Sequence, residues 1–344
     1  MQSNETPLHI PVRWGVLSAA NIAVKRVAPA IAASSNGRLV AVGSRNPQRA
    51  QELFAFAPEV IIYSDYESVI NDPEIEAIYI PLPNSLHAEW TIKALQAGKH
   101  VLCEKPIASN EAEARRMFEA ARLEAKVLVE AFMYRAHPQT QEVMTKIQGS
   151  AVGKVKLIRT SFCYQTSRIA GNIRFDPLLS GGALMDIGCY CINFSQMVAG
   201  ADAVDVSANA VMQENGVDEV VVAQMKFENG ILASFTCGMT LHADNTAHIC
   251  GTEGYLEIPR LWKPPVEGAK YWIKANAPVK SDVGKLDSGP GREFIISAGI
   301  DLYALEADDF AVTVLDGKTP LVSESETLAT MRILDEMRRQ VGRT

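Results

Sequence analysis

Several features that would define a partner or a compartment are missing from this sequence. No uninterrupted apolar run approaches the length needed to cross a bilayer. Residues 1–7 contain neither the basic stretch nor the apolar core of a secretory signal. Basic residues do not outnumber acidic ones, since the formal net charge is −7 and the isoelectric point is about 5.5. Because a nucleic-acid backbone requires a basic face, we expect a cytoplasmic protein that binds neither nucleic acid nor a membrane.

Cysteine is also scarce, and its spacing does not match the common metal sites. The chain has 6 cysteines among 344 residues and contains no Cys-x-x-Cys pair. Cys189 and Cys191 would supply half of a metal site, but no second pair has the spacing of a zinc site. Scattered cysteines in a chain of this length are typical of reduced, buried thiols. We therefore predict no bound metal.

The first part of the chain alternates short apolar segments with amphipathic helical ones, and the length suits two domains. The strand candidates are residues 12–18, 39–44, 60–63, 77–81, 100–103 and 127–130. Repeated βα units with almost continuously apolar strands indicate a parallel sheet that is covered on both faces. Residues 1–131 are therefore predicted to form a doubly wound α/β domain.

The pattern changes after Ala131, where longer strands with alternating polarity begin. The candidates are residues 155–165, 204–213, 217–227, 231–238, 247–250 and 255–258. Asn229-Gly230 is a strong hairpin signal between two of them. Residues 261–291 have little pattern and are interpreted as a loop or an excursion near the site. A capping box, Ser323 with Glu326, announces a final helix. Residues 132–344 are thus predicted to form an α+β domain with a large, open, mostly antiparallel sheet.

The turn after the first strand resembles a dinucleotide-binding loop in which small residues replace glycines. The fingerprint G-x-G-x-x-G/A falls on Ser18, Ala20 and Ala23, with Asn21 and Ile22 between the last two. Small side chains still let a pyrophosphate approach the backbone and the amides of the helix N-terminus. The alternative is a tight βα turn that is small only for packing. The βα units that follow favour nucleotide binding.

The end of the second strand bears on which nucleotide is bound. An NAD site usually has Asp or Glu there for the ribose 2′-hydroxyl. This chain has Ser44 and Arg45, with Arg49 one helical turn later. A guanidinium pairs with a 2′-phosphate and stacks on adenine. We therefore predict NADP, with NAD as the second choice, while a solvated loop charge is the alternative role for Arg45.

Two further segments lie where the carboxyl ends of the parallel strands should meet. Glu104-Lys105-Pro106 follows the fifth strand, and the proline keeps Lys105 out of a helix, so its side chain points toward the ligand crevice. Pro81, Asn84 and His87 follow the fourth strand. We predict that these residues, with Glu104, contact the cofactor. For Asn84 and His87, helix capping alone is the alternative.

These segments together resemble the glucose–fructose oxidoreductase, inositol dehydrogenase and rhizopine catabolism (Gfo/Idh/MocA) family. The resemblance rests on Trp14-Gly15-Val16-Leu17, Asn21-Ile22-Ala23, Pro83-Asn84-Ser85-Leu86-His87, Glu104-Lys105-Pro106, Glu130-Ala131-Phe132-Met133-Tyr134-Arg135 and the segment Gly181-Gly182-Ala183-Leu184-Met185-Asp186-Ile187-Gly188-Cys189-Tyr190. It implies an N-terminal Rossmann domain, hydride transfer at the nicotinamide, and a second domain whose open sheet forms a homodimer or homotetramer. It also places the family's catalytic lysine at Lys105.

The sequence departs from the family at the residue where many members have a catalytic histidine. Tyr190 stands there, as in the branch that contains glucose–fructose oxidoreductase, xylose dehydrogenase and dimeric dihydrodiol dehydrogenase. A neighbouring ammonium favours a phenolate, so the hypothesis is that Tyr190 is the acid/base and that Lys105 tunes it and polarises the reacting oxygen. A core aromatic is the alternative role for Tyr190.

Three further polar residues are candidate ligands for substrate hydroxyls. Asp186 and Asn193 are seven residues apart and would share a helical face, and Arg174 lies on the preceding loop. Asp186 has the alternative role of orienting a neighbour.

The expected function is NADP-dependent oxidation or reduction of a sugar, a polyol or a cyclic diol. Dihydrodiol dehydrogenase activity, or dinucleotide-dependent sensing without turnover, is the rival interpretation.

Overall fold

The first sheet of the computed structural model, which describes residues 10–275 and 291–342, has six parallel strands. They are β1 (Val12–Leu17), β2 (Gly37–Gly43), β3 (Ile61–Tyr63), β4 (Ala77–Ile80), β5 (His100–Glu104) and β6 (Leu128–Ala131). Their order, β3-β2-β1-β4-β5-β6, is that of a dinucleotide-binding fold. All six predicted strands are present, and their ends differ from the prediction by a residue or two.

Helices cover both faces of this sheet because its strands are apolar on both sides. They are α1 (Ala28–Ala33), α2 (Pro47–Leu53), α3 (Tyr66–Asn71), α4 (His87–Gln96) and α5 (Glu111–Leu123), and α1 continues a π-helical segment, Ala23–Val27. Every residue of β4 is buried, as expected for a central parallel strand. Side-chain carboxamide or carboxylate oxygens cap α2, α3 and α5 at Asn46, Asp65 and Asn110.

The second sheet has eight strands and is mostly antiparallel, as predicted. Its members are β7 (Val155–Cys163), β8 (Ala203–Met212), β9 (Asp218–Phe227), β10 (Leu232–Gly238), β11 (Ala247–Gly251), β12 (Gly254–Ile258), β13 (Ala269–Ala275) and β14 (Arg292–Ile296). The order is β14-β13-β12-β11-β7-β10-β9-β8, and only the β7–β10 pair is parallel among these strands. The Asn229-Gly230 hairpin joins β9 to β10, and Gly230 has a φ of 82°.

The interpretation of residues 261–291 as a loop is wrong for part of that range. Ala269–Ala275 forms β13, which pairs with β12 on one side and with β14 on the other. Tyr271 and Ile273 pack against the core, with Trp272 between them and Lys270 and Lys274 on either side. Residues 276–290 lie outside the described ranges.

Four more α-helices lie within the described residues, and one of them packs on the first sheet. They are α6 (Pro138–Gln148), α7 (Cys189–Ala199), α8 (Leu302–Asp316) and α9 (Glu324–Gln340). The ring of Phe310 in α8 lies 4.8 Å from that of Trp14 in β1, so this late helix packs on the first sheet. The predicted capping box at Ser323 and Glu326 is present. No helix of the described ranges is long and apolar enough to cross a bilayer.

Candidate active site

A cleft of about 470 Å³ opens between the two sheets, in the volume range of small-molecule sites. The predicted residues that line it are Ala20, Asn21, Ile22, Pro81, Asn84, Glu104, Lys105, Arg174 and Asp186. The second part of the chain adds Thr166, Arg168, Asn172 and Ile173. The dinucleotide loop, the ends of β4 and β5 and the loop after β7 therefore converge on one site.

The turn after β1 has the geometry of a dinucleotide-binding loop despite its missing glycines. Ser18 has a φ of 114°, a region that glycine adopts readily and other residues rarely adopt. Its backbone N–H donates to the carbonyl of Gly43 at the end of β2 (2.9 Å). Ala20, Asn21 and Ile22 then begin the helix at the cleft wall. A helix N-terminus with free amides thus faces the cleft, as an anion requires.

The residues predicted to select the nucleotide lie beside this loop. Ser44 is buried, and the backbone N–H of Asn46 donates to its Oγ (3.2 Å). Arg45 and Arg49 are exposed, and neither forms an ion pair with any described residue. Because Ser18 is hydrogen-bonded to Gly43, the end of β2, from which the chain continues to Arg45, lies next to the dinucleotide loop.

The segment after β4 corrects one prediction and refines another. Asn84 does not cap α4: its Nδ2 donates to the carbonyl of Ser180 (2.9 Å), which joins the two walls of the cleft. His87 is buried, and its two ring nitrogens lie 2.9 Å and 2.8 Å from the carbonyl oxygens of Pro106 and Leu82, to one of which the single N–H of the neutral ring donates. Burial lowers the pKa of His87 to about 4, so the ring is neutral. His87 therefore connects the Lys105-Pro106 turn to the Leu82-Pro83 turn and has no free nitrogen for a cofactor.

An ion cluster around Asp186 forms the centre of the cleft. The Lys105 ammonium donates to the backbone carbonyl of Asp186 (2.8 Å) and to its Oδ1 (3.2 Å). The Arg174 Nε (3.0 Å) and the Tyr164 hydroxyl (2.8 Å) both contact Oδ2. With its carboxylate engaged by three side chains, Asp186 orients its neighbours, which is the alternative role that the sequence left open.

The Gly-Gly segment makes this cluster sterically feasible. A Cβ on Gly181 would lie 2.4 Å from the carbonyl oxygen of Arg174, closer than any side chain tolerates. The N–H of Gly182, which has a φ of 124°, donates to the same carbonyl (2.8 Å). The glycines therefore let the Arg174 loop lie directly against the segment that carries Asp186.

The charges of the cluster stabilise one another. Burial disfavours ionisation of both Lys105 and Asp186. For Lys105 it is the largest single influence, but the negative charges nearby, of which Asp186 is the strongest, together outweigh it and raise the pKa of Lys105. Lys105 and Arg174 in turn outweigh burial and hold the pKa of Asp186 well below its usual range. Burial raises the pKa of Glu104, whose Oε1 accepts from the Tyr79 hydroxyl (2.6 Å). Lys105 is therefore a fixed ammonium at neutral pH.

Tyr190 lies directly beneath this ammonium, with its ring centre 5.3 Å from the Lys105 Nζ. It is almost fully buried, its hydroxyl contacts the Met133 sulfur (3.3 Å), and the rings of Phe132 and Phe162 surround it. Burial, followed by the charge of Glu104, raises the pKa of Tyr190 well above its usual value. The expectation of a stabilised phenolate is therefore wrong, and Tyr190 keeps its proton.

Asn193 does not reach the cleft, so its prediction as a substrate ligand is wrong. The side chain is fully buried, and its Oδ1 accepts from the Tyr134 hydroxyl (2.5 Å) and from Arg135 Nη1 (3.2 Å). The spacing argument failed because α7 is buried on nearly all sides. A residue on the same helical face as Asp186 is therefore inside the protein.

Several polar residues at or beside the site were not predicted from the sequence. They are Tyr164, which binds Asp186, Arg168 and Asn172 on the loop after β7, and Lys263 near the ion cluster. Lys263 is exposed, and the charges of Lys105 and Asp186 act on it. Of these, Tyr164 alone had a local signal, since it lies near the end of a predicted strand.

Comparison with known proteins identifies the family. The model described as "Oxidoreductase family, NAD-binding Rossmann fold" matches residues 12–132, and that of the "GFO/IDH/MocA C-terminal domain" matches residues 140–257. The chain belongs to the Gfo/Idh/MocA oxidoreductase family. The resemblance inferred from the motifs is thus confirmed. This member is an oxidoreductase with an NAD-binding Rossmann domain.

Three similar proteins illustrate the activities known among relatives of this family member. The D-xylose 1-dehydrogenase (NADP(+)) 2 of Haloferax volcanii is 31% identical, covering 94% of this chain and 95% of the relative. The trans-1,2-dihydrobenzene-1,2-diol dehydrogenase of Danio rerio is 33% identical, covering 96% and 97%. The structure of a 3-ketoreductase from Actinomadura kijaniata with NADP and TDP-benzene has a TM-score of 0.86 at 30% identity, covering 96% and 98%.

Proposed function

We propose that this protein is an NADP-dependent oxidoreductase that transfers hydride between the nicotinamide and a hydroxyl-bearing carbon of a sugar, a polyol or a cyclic diol. The observation that carries the proposal is the Lys105 ammonium, which is held by Asp186 at the carboxyl end of β5 inside the cleft. The cofactor supplies the hydride, and the protein supplies position and charge.

The exposed valines of β8 and β9, such as Val204 and Val222, support a homo-oligomer that associates through the second sheet.

The choice of NADP rests on the end of β2. Arg45 and Arg49 are exposed cations without acidic partners among the described residues, and no carboxylate follows Gly43 where an NAD site would have one. A 2′-phosphate would pair with these guanidinium groups. The xylose dehydrogenase and the ketoreductase compared above are named or solved with NADP, which supports the same choice.

The chemistry follows from which groups keep their protons. In the reduction direction, the carbonyl oxygen of the substrate gains negative charge as hydride arrives, and Lys105 stabilises that charge by a hydrogen bond. Tyr190, which stays protonated, is proposed as the proton donor, and in oxidation the proton returns by the same path. Arg174 and Asp186 orient the substrate and the ammonium. Solved variants of the ketoreductase change residues of the same two types, one lysine and one tyrosine.

The activity is tested by following nicotinamide absorbance with the purified protein, with NADP⁺ and NAD⁺ in parallel. Aldoses, polyols and cyclic dihydrodiols are supplied in turn. We expect turnover of at least one class with NADP⁺ preferred by roughly tenfold or more, which is the worth of one charge-assisted pair. Tight cofactor binding without turnover of any class would contradict the proposal and favour a sensor.

The role of Tyr190 is tested by Tyr190→Phe. Loss of the hydroxyl is expected to lower kcat by roughly 10²-fold, the low end of the effect of a general acid. The Kd of NADPH should change little, because the aromatic ring and its contacts with Phe132 and Phe162 remain. Steady-state kinetics and fluorescence titration measure the two quantities. Undiminished turnover would assign the proton transfer to Lys105 alone.

A further inference from the structure

The cleft wall carries a cation that no carboxylate of the described residues neutralises. Lys105 and Arg174 both share Asp186, so their charges are balanced within the site. Arg168 also lines the cleft, but it is exposed and forms no ion pair with any residue in the described ranges. An uncompensated guanidinium at the wall of a cleft is a ready site for an anion.

The backbone around Arg168 is held in place by three hydrogen bonds. The N–H of Thr166 donates to the carbonyl of Met239 (3.0 Å), and the N–H of Arg168 donates to the Thr166 Oγ1 (3.2 Å). The Asn172 Nδ2 donates to the carbonyl of Arg168 (2.9 Å). The guanidinium is therefore presented to the cleft from a fixed loop, which reduces the entropy lost on binding.

Lys263 adds a second uncompensated cation from another part of the chain. It forms no ion pair with a described residue, yet Lys105, Asp186 and Arg174 all lie near enough for their charges to act on it. The protein atoms around its amine, followed by the like charge of Lys105, lower the pKa of Lys263. A negative group bound in the cleft would relieve that repulsion.

The cofactor does not account for both cations. Its phosphates belong at the dinucleotide loop of the first domain, where Ala20 and Asn21 begin a helix. Arg168 stands on the opposite wall, which the second part of the chain supplies. The chain as a whole has a net charge of −7, so two cations in and beside the cleft that pair with no described carboxylate are a local exception to its acidic character.

We propose that the substrate carries an anionic group, a carboxylate or a phosphate, in addition to the hydroxyl that reacts, and that Arg168 binds this group with help from Lys263. The inference rests on the proposed function and narrows its substrate to acidic or phosphorylated sugars.

The test compares three sugars that share one ring: D-glucose, D-glucuronate and a glucose phosphate whose anomeric carbon is free. With NADP⁺ saturating, we expect one anionic sugar to show a kcat/KM at least roughly tenfold above that of glucose. Its KM should rise with ionic strength, because salt screens the attraction. The preferred anion, carboxylate or phosphate, identifies the chemistry. Equal or better turnover of glucose overturns the inference and leaves the proposed function intact. Absence of turnover with every sugar and diol overturns both.

Variants assign the anion site to its residues. Arg168→Gln and Lys263→Gln are each expected to raise the KM of the anionic sugar by roughly five- to tenfold. Neither should change the KM of glucose by more than about twofold or the Kd of NADPH. Arg116→Gln removes an exposed arginine of α5, away from the cleft, and is the matched control. A weakened NADPH affinity without any change in sugar preference would show that these cations serve the cofactor, and would overturn the inference.

Discussion

Replacing Lys105 with methionine is expected to lower kcat by about 10³-fold, within the range of acid–base and electrostatic catalysis. Methionine has a similar length but carries no charge and donates no hydrogen bond to the reacting oxygen. Asp186 keeps its contacts with Arg174 and Tyr164, so the cleft should keep its shape. The NADPH affinity should fall only a few-fold, because the phosphates bind at the dinucleotide loop. Steady-state kinetics and fluorescence titration separate the two effects.

The pH profile of the wild-type enzyme provides a second test of the same residue. The pKa of Lys105 lies above its ordinary value of 10.5 because the negative charges around it, chiefly that of Asp186, together outweigh burial, so the ammonium persists through neutral pH. Activity should therefore show no loss from deprotonation of Lys105 between about pH 6 and pH 9.

The control for the Lys105→Met variant is Lys156→Met, at an exposed position of β7, which should retain activity. A Lys105→Met enzyme with nearly normal kcat would contradict the assignment.

The first domain was predictable because its signals are local. Apolar runs with helical stretches between them define a parallel sheet, and the connections then fix which strand ends meet. The sequence accordingly predicts that one crevice contains Lys105, Glu104, Asn84 and Ala20. The structure brings these residues together at the cleft. A proline after Lys105 and small residues after β1 are short-range constraints, which a single sequence records.

The features that the sequence did not predict depend on contacts between distant segments. Arg174 and Tyr164 both reach Asp186 from other elements, and no spacing in the sequence predicts that convergence. Asn193 was misassigned because helical periodicity gives a shared face but not whether that face is buried. The raised pKa of Tyr190 likewise arises from burial beneath rings that come from several elements. β13 was missed because its alternation is short and is flanked by glycine and proline.

Glu130 is the residue at which a change of pH is expected to have its largest effect on stability. It lies in β6 and is almost fully buried. Its Oε1 accepts from the N–H of Ile107 (2.9 Å), and its Oε2 accepts from the Thr327 hydroxyl (2.8 Å). These contacts join the turn after Lys105 to α9. Burial outweighs both hydrogen bonds and raises the pKa of Glu130 to about 7, from an ordinary value of 4.5.

The direction of the effect follows from the raised pKa. Below pH 4.5 the carboxyl is protonated in both the folded and the unfolded chain, so it contributes no difference. As the pH rises toward 7, the unfolded chain ionises freely while the folded chain resists, and the free energy of unfolding decreases. Since one pH unit of difference in pKa is about 1.4 kcal/mol, the loss is on the order of 3 kcal/mol above pH 7.

Glu130→Gln should remove this dependence. The carboxamide has the same shape, accepts from Ile107 and donates to Thr327, but does not ionise. We expect the variant and the wild type to have similar free energies of unfolding at pH 5, and the variant to be more stable by roughly 2–3 kcal/mol at pH 8. Urea denaturation at both pH values measures the difference. Glu119→Gln, an exposed change on α5, should follow the wild type at both. An unchanged difference between Glu130→Gln and wild type at pH 5 and pH 8 would mean that water or a cation stabilises the buried carboxylate.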